Sequence, residues 1–81
     1  MRYVIRKLEC NFWMDVVEFN DERQLKSADV ENTVREMLFS GQLPVLLPSV
    51  FCVIQKLPNG RERRIGKDVS VGRDGKIIEN A

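Results

Sequence analysis

Eighty-one residues are enough for one small domain, so the chain is expected to form a single α+β domain over residues 1–81. At 43% hydrophobic and 31% charged, with 5 Gly and 3 Pro, its composition is globular and excludes the disordered, collagen-like and low-complexity classes. Thirteen Lys and Arg against twelve Asp and Glu leave a charge of +1, too near neutral to demand a nucleic-acid or membrane partner, and no histidine is present to act as general base or metal ligand.

Arg2 to Cys10 reads as a strand rich in Tyr, Val and Ile, with Arg6 and Lys7 interrupting opposite faces as at a sheet edge. Charge breaks this segment before an apolar stretch develops, so no signal peptide is expected there, and no apolar run is long enough to cross a bilayer. A soluble, cytoplasmic protein is expected. Trp13 to Phe19 is a second strand, with Trp13, Asp15, Val17 and Phe19 on one face and Met14, Val16 and Glu18 on the other. Trp13 is assigned to the core, with an interface hot spot as the alternative. Asn20-Asp21-Glu22 supplies turn chemistry.

The best-defined element is a helix from about Ala28 to Phe39. Ser27 is its expected N-cap, Asp29 and Glu31 complement the positive end of the helix dipole, and Gly41 is the stop. Val30, Val34, Met37 and Leu38 recur on a single stripe, and Phe39 falls roughly opposite it. In Leu43-Pro44-Val45-Leu46-Leu47-Pro48 the prolines remove amide donors, which makes the segment an extended connector. Val50 to Leu57 is the clearest strand, Pro58-Asn59-Gly60 a turn, and Arg61 to Ile65 a polar returning strand. Val69 to Val71 and Lys76 to Ile78 form a second, shorter hairpin around Gly72-Arg73-Asp74-Gly75. The order is β-β-α-β-β-β: a small, mainly antiparallel sheet with one amphipathic helix packed on one face.

Three groups of residues bear on function. The string Val71-Gly72-Arg73-Asp74-Gly75-Lys76-Ile77-Ile78 resembles the GxxG loop of KH RNA-binding domains, a resemblance that implies a tight turn clamping a nucleic-acid backbone. In that family the loop joins two helices, whereas Val69-Ser70-Val71 prefers strand, and a hairpin turn is the expected reading here. Residues 50–81 carry seven basic and four acidic side chains, against six and eight in residues 1–49, and six of the seven are Arg61, Arg63, Arg64, Lys67, Arg73 and Lys76. They are the candidate nucleic-acid stripe, although alternation points Arg64 away from Arg61 and Arg63, and no aromatic follows Leu57 to stack a base. Phe39, Leu43, Val45, Leu46 and Leu47 either close the core or anchor a protein interface.

Catalysis finds little support. Asp15 and Glu18 are expected on opposite faces, and Ser27 has no nearby base. Cys10 and Cys52 lie in apolar runs, where buried, reduced thiols are expected and a Cys10–Cys52 bridge is the alternative. Two cysteines without histidine do not complete a zinc site, and Asp21-Glu22 offers too few oxygens for calcium. No enzyme activity, metal or cofactor is expected. What remains is a small interaction module that binds a larger protein as an inhibitor, adaptor or assembly factor; in size and style it resembles the accessory proteins of bacteria and their mobile elements. Nucleic-acid binding through the basic hairpins is the alternative. Either a monomer or a homodimer, joined through a strand edge, fits the chain.

Overall fold

The computed structural model describes residues 1–78. Among these described residues five strands and one helix follow in the order β1 (Arg2–Glu9), β2 (Phe12–Asn20), α1 (Val30–Phe39), β3 (Ser49–Lys56), β4 (Glu62–Val71) and β5 (Ile77–Ile78). They form one antiparallel sheet in the spatial order β2-β1-β3-β4-β5, so β1 is flanked on both sides and β2 is an edge. The domain is therefore α+β, with a short 3-10 turn, Ser27–Asp29, leading into the helix.

Registers decide which side chains meet. In β1 and β3, Tyr3, Ile5, Phe51 and Val53 fall on the helix side, where they join Leu25, Val30, Val34, Leu43, Ile65, Val69 and Val71 in the main core. Val30 and Val34 of the α1 stripe are buried, and Met37 and Leu38 pack at its margin. Tyr3 lies wholly inside, stacked on Phe19 with ring centroids 5.4 Å apart. Its hydroxyl accepts the Leu25 N–H at 3.0 Å and donates to the Arg23 carbonyl at 3.0 Å, tying the segment before α1 to the sheet.

Several local expectations are corrected. A β-bulge leaves Val16 unpaired between the Ile5–Val17 and Arg6–Asp15 pairs, so the alternation of β2 reverses there. Trp13, Asp15 and Glu18 consequently share the outer face, while Val17 and Phe19 face the helix. Trp13 is thus not part of the main core; it packs half-buried on a small outer cluster of Val4, Cys52 and Ile54. Cys10 is not in a strand either. With Asn11 it makes the two-residue β1–β2 turn, both at positive φ (47° and 70°), the backbone that a tight right-twisted hairpin requires. The hydroxyl of Ser27 caps nothing; the Asp29 carboxylate accepts the Lys26 N–H at 2.8 Å instead.

Glu62–Ile65 and Val69–Val71, expected in two separate strands, belong to one, β4, which continues through an irregularity where residues 66–68 stand against Cys52, and Arg61 precedes it. Gly66 makes this possible. Its φ is +66°, and an added Cβ would sit 3.1 Å from Val30 Cγ2 and 3.2 Å from the Ser27 Cα. Gly66→Ala is expected to cost about 1–3 kcal/mol, lowering the thermal midpoint by roughly 5–15 °C. Gly60, at φ +83° with nothing within 4 Å, supplies the comparison: Gly60→Ala meets the backbone strain alone and costs less.

Candidate functional site

The helix terminates as the glycine predicts: Ser40 N–H donates to the Glu36 carbonyl at 3.0 Å, and Gly41, at φ +77°, donates to Leu38 at 3.2 Å. The chain then turns back, and the Leu43 N–H reaches the Met37 carbonyl at 3.2 Å. That bond carries Leu43 into the core, where it is buried. Beyond it the connector is braced by the Val45 N–H on the Leu43 carbonyl (3.0 Å) and by the Ser49 hydroxyl donating to the Leu46 carbonyl (2.7 Å). With Pro44 and Pro48 also restricting φ, the segment is held without regular secondary structure.

The result is a cleft of about 490 Å³ between the end of α1, the connector and the β4–β5 turn. Arg35, Leu38 and Phe39 line it from the helix, Leu43 to Leu47 from the connector, and Asp74 and Gly75 from the turn. All five apolar residues singled out in the sequence therefore meet in one place, but in different capacities. Leu43 belongs to the core, Val45 and Leu47 are half-buried against it, and Phe39 and Leu46 stand 87% and 86% exposed. Phe39 is so exposed because it lies off the α1 stripe, and Leu46 because its neighbours in the connector take the inward positions.

The basic candidates are dispersed. Arg64 lies on the outer face, opposite Ile54, with its guanidinium 2.6 Å from Asp68 and 5.0 Å from the centre of the Trp13 ring. Arg63, opposite Gln55, is on the helix side. Arg61 precedes β4, where its N–H donates to Asn59 Oδ1 at 3.0 Å, and Lys67 sits in the irregular part of β4. Arg73 and Lys76 belong to the β4–β5 turn, closed by Gly72 N–H on the Lys76 carbonyl at 2.9 Å. This turn joins two strands, not the two helices of a KH domain.

The ionic lattice on the outer face is not legible in the sequence, because the β2 bulge brings Asp15 to that face. Arg6 donates from Nε to Asp15 at 2.7 Å and bidentately to Glu62 at 2.9 and 2.6 Å, bridging β2, β1 and β4. Lys56 meets Glu18 at 2.9 Å, with Arg2 3.6 Å from the same carboxylate. Asp15 and Glu18 do share a face, contrary to expectation, but each is engaged by its own cations.

Hydrogen bonds from Arg6 lower the proton affinity of Glu62, those from Lys56 lower that of Glu18, and those from Arg23 lower that of Asp21. Folded carboxyls with depressed pKa values bind fewer protons than the unfolded chain. Their stabilisation is present above their ordinary values of 4.5, 4.5 and 3.8 and is lost as pH falls through the folded ones. Thermal midpoints measured between about pH 6 and pH 2 are therefore expected to fall with acid, less steeply in Glu62→Gln than in the natural sequence.

Both thiols are free, Cys10 exposed and Cys52 buried. Burial pushes the Cys52 thiol up, away from the reactive thiolate. A maleimide is expected to label one thiol per native molecule and two in denaturant. Rapid labelling of both in the native state would contradict this packing. Among the described residues no group of three or more His, Cys, Asp or Glu is placed to hold a metal ion. Among the same described residues no helix is long and apolar enough to cross a membrane. Comparison with protein-family models, with curated proteins and with solved structures finds no match.

Proposed function

We propose that the protein is a non-catalytic interaction module that binds a larger protein through the cleft beside Phe39 and Leu46, as an inhibitor, adaptor or assembly factor does. The observation that carries this reading is the exposure of these two large apolar side chains on the rim of one cleft. Exposed apolar side chains grouped around a concavity are the feature that marks binding surfaces on small domains. A braced connector also favours binding, since little freedom remains to be lost on association.

Nucleic-acid binding through Arg61, Arg63, Arg64, Lys67, Arg73 and Lys76 has less support. The register divides Arg63 from Arg64, and Arg64 is engaged by Asp68 and Trp13. Co-purification from the native host at about 0.1 M and about 1 M salt separates the two readings. A protein partner retained at both concentrations supports the cleft. A nucleic acid bound only at low salt, and lost when Arg61, Arg63 and Arg64 are changed together to Ala, overturns it.

A further inference from the structure

Among the described residues β2 is bonded to β1 alone, so the other side of its backbone has no strand beside it. A free edge of nine residues is a template for another strand unless Lys, Pro, a charge at the rim or a covering element protects it. β2 contains no Lys, Arg, Pro or Gly. Its two acids are drawn back over the sheet, Asp15 to Arg6 of β1 at 2.7 Å and Glu18 to Lys56 of β3 at 2.9 Å. The helix-side row of the strand is wholly apolar: Phe12, Met14, Val16, Val17 and Phe19. None of the five is buried, and Phe12 and Met14 stand 73% and 55% exposed. The bulge places no charge at this edge, because the residue it adds is Val16, which packs toward the core.

We infer that β2 is the contact of a symmetric dimer, in which two copies of this chain pair antiparallel, β2 on β2, about a two-fold axis normal to the sheet. The bulge makes the strand match itself. In the register that sets Val16 opposite Val17 of the second copy, Met14 faces the second copy's Phe19, and all of these lie on the helix side. Trp13 then faces Asn20 and Asp15 faces Glu18, all on the outer side, so no residue from Trp13 to Asn20 meets one of the opposite face. A regular strand from another protein would have to leave Val16 unpaired, as β1 does, whereas a second copy pairs every residue. A charge of +1 does not hold two copies apart. The seam, about 30 Å long and about 20 Å deep through sheet and helix, hides about 600 Å² on each copy, at the lower bound for a specific dimer. Its weak point is the like-charge pair of Asp15 and Glu18, repeated by the symmetry. The cleft wall formed by the β4–β5 turn lies at the opposite edge of the sheet, so the dimer leaves both clefts open and stands independently of the cleft reading.

The test is sedimentation equilibrium of the full chain from low micromolar to near-millimolar concentration. A monomer–dimer equilibrium with no larger species is expected. Met14→Lys sets a cation in the seam and should weaken the dimer about tenfold or more. Glu18→Gln removes the like-charge pairs and should tighten it about threefold. Leu46→Asp, in the cleft, should leave it unchanged. Circular dichroism at the lowest concentration shows whether Met14→Lys is folded; if it is not, Glu18→Gln decides. A monomer at every concentration, or association that continues beyond two copies, overturns the inference. So does a dimer that folded Met14→Lys leaves intact, that Glu18→Gln fails to tighten, or that Leu46→Asp breaks.

Discussion

Leu46→Asp and Phe39→Asp are each expected to abolish partner binding, by about thirtyfold or more, while leaving the domain folded. Both side chains are almost fully exposed, so the substitutions remove no core packing and bury no charge. Exposed substitutions of this kind shift stability by about 0.5 kcal/mol or less, which in a domain of this length moves the thermal midpoint by roughly 2–4 °C. Leu43→Asp is the informative contrast. Leu43 lies in the same hexapeptide but packs in the core, and a buried, unpaired carboxylate there should prevent folding. If Leu46→Asp also unfolds the chain, the connector is core throughout and the interface reading fails.

Tyr3 carries a second large expected stability effect. Tyr3→Phe keeps the ring against Phe19 but removes the hydroxyl, stranding the Leu25 N–H and the Arg23 carbonyl. Leu25 is itself buried, so water does not readily replace the lost acceptor, and about 1–3 kcal/mol is expected from that change alone. Tyr3→Ala adds a cavity where a fully buried aromatic stood, with a further cost of about 3–5 kcal/mol. Against a total stability of about 5–15 kcal/mol, the alanine variant should be largely unfolded or nearly so in urea titrations, and the phenylalanine variant folded but weakened. Equal midpoints for Tyr3→Phe and the natural sequence would mean that the hydroxyl does not anchor the segment before α1.

What could be read from the sequence follows from the range over which each signal acts. Helix α1 was legible because its stripe, Val30, Val34, Met37 and Leu38, and its terminator Gly41 lie within a dozen residues, and the same period places Phe39 off the core. The Pro58-Asn59-Gly60 turn was legible for a similar reason, and Gly60 takes the left-handed backbone. The β2 bulge was not, since Val16 is suited to a paired strand and only the register against β1 excludes it. One skipped residue moved Trp13 and Asp15 to the other face and assembled the Arg6–Asp15–Glu62 lattice. Cys10-Asn11 lacks the glycine that usually marks a two-residue turn, so the hairpin tip read as strand. Strand order, with β3 beside β1 across the helix, is set by non-local pairing that no local pattern records.

The same difference in range governs the candidate site. Phe39 and the connector were legible as apolar residues that no strand or helix period absorbed. Their division was not, because Leu43 is drawn inward by a bond to the Met37 carbonyl and Leu46 is left outside by its neighbours. The opposing wall, Asp74 and Gly75, comes from a turn nearly thirty residues further along the chain.

The most direct measurement is amide hydrogen exchange of the free protein against its partner complex, resolved to short peptides. New protection is expected only in residues 35–47 and the 72–76 turn, with the outer face of β1 and β2 unchanged. Protection centred on residues 61–67, or on the outer face around Trp13 and Arg64, would contradict the cleft reading.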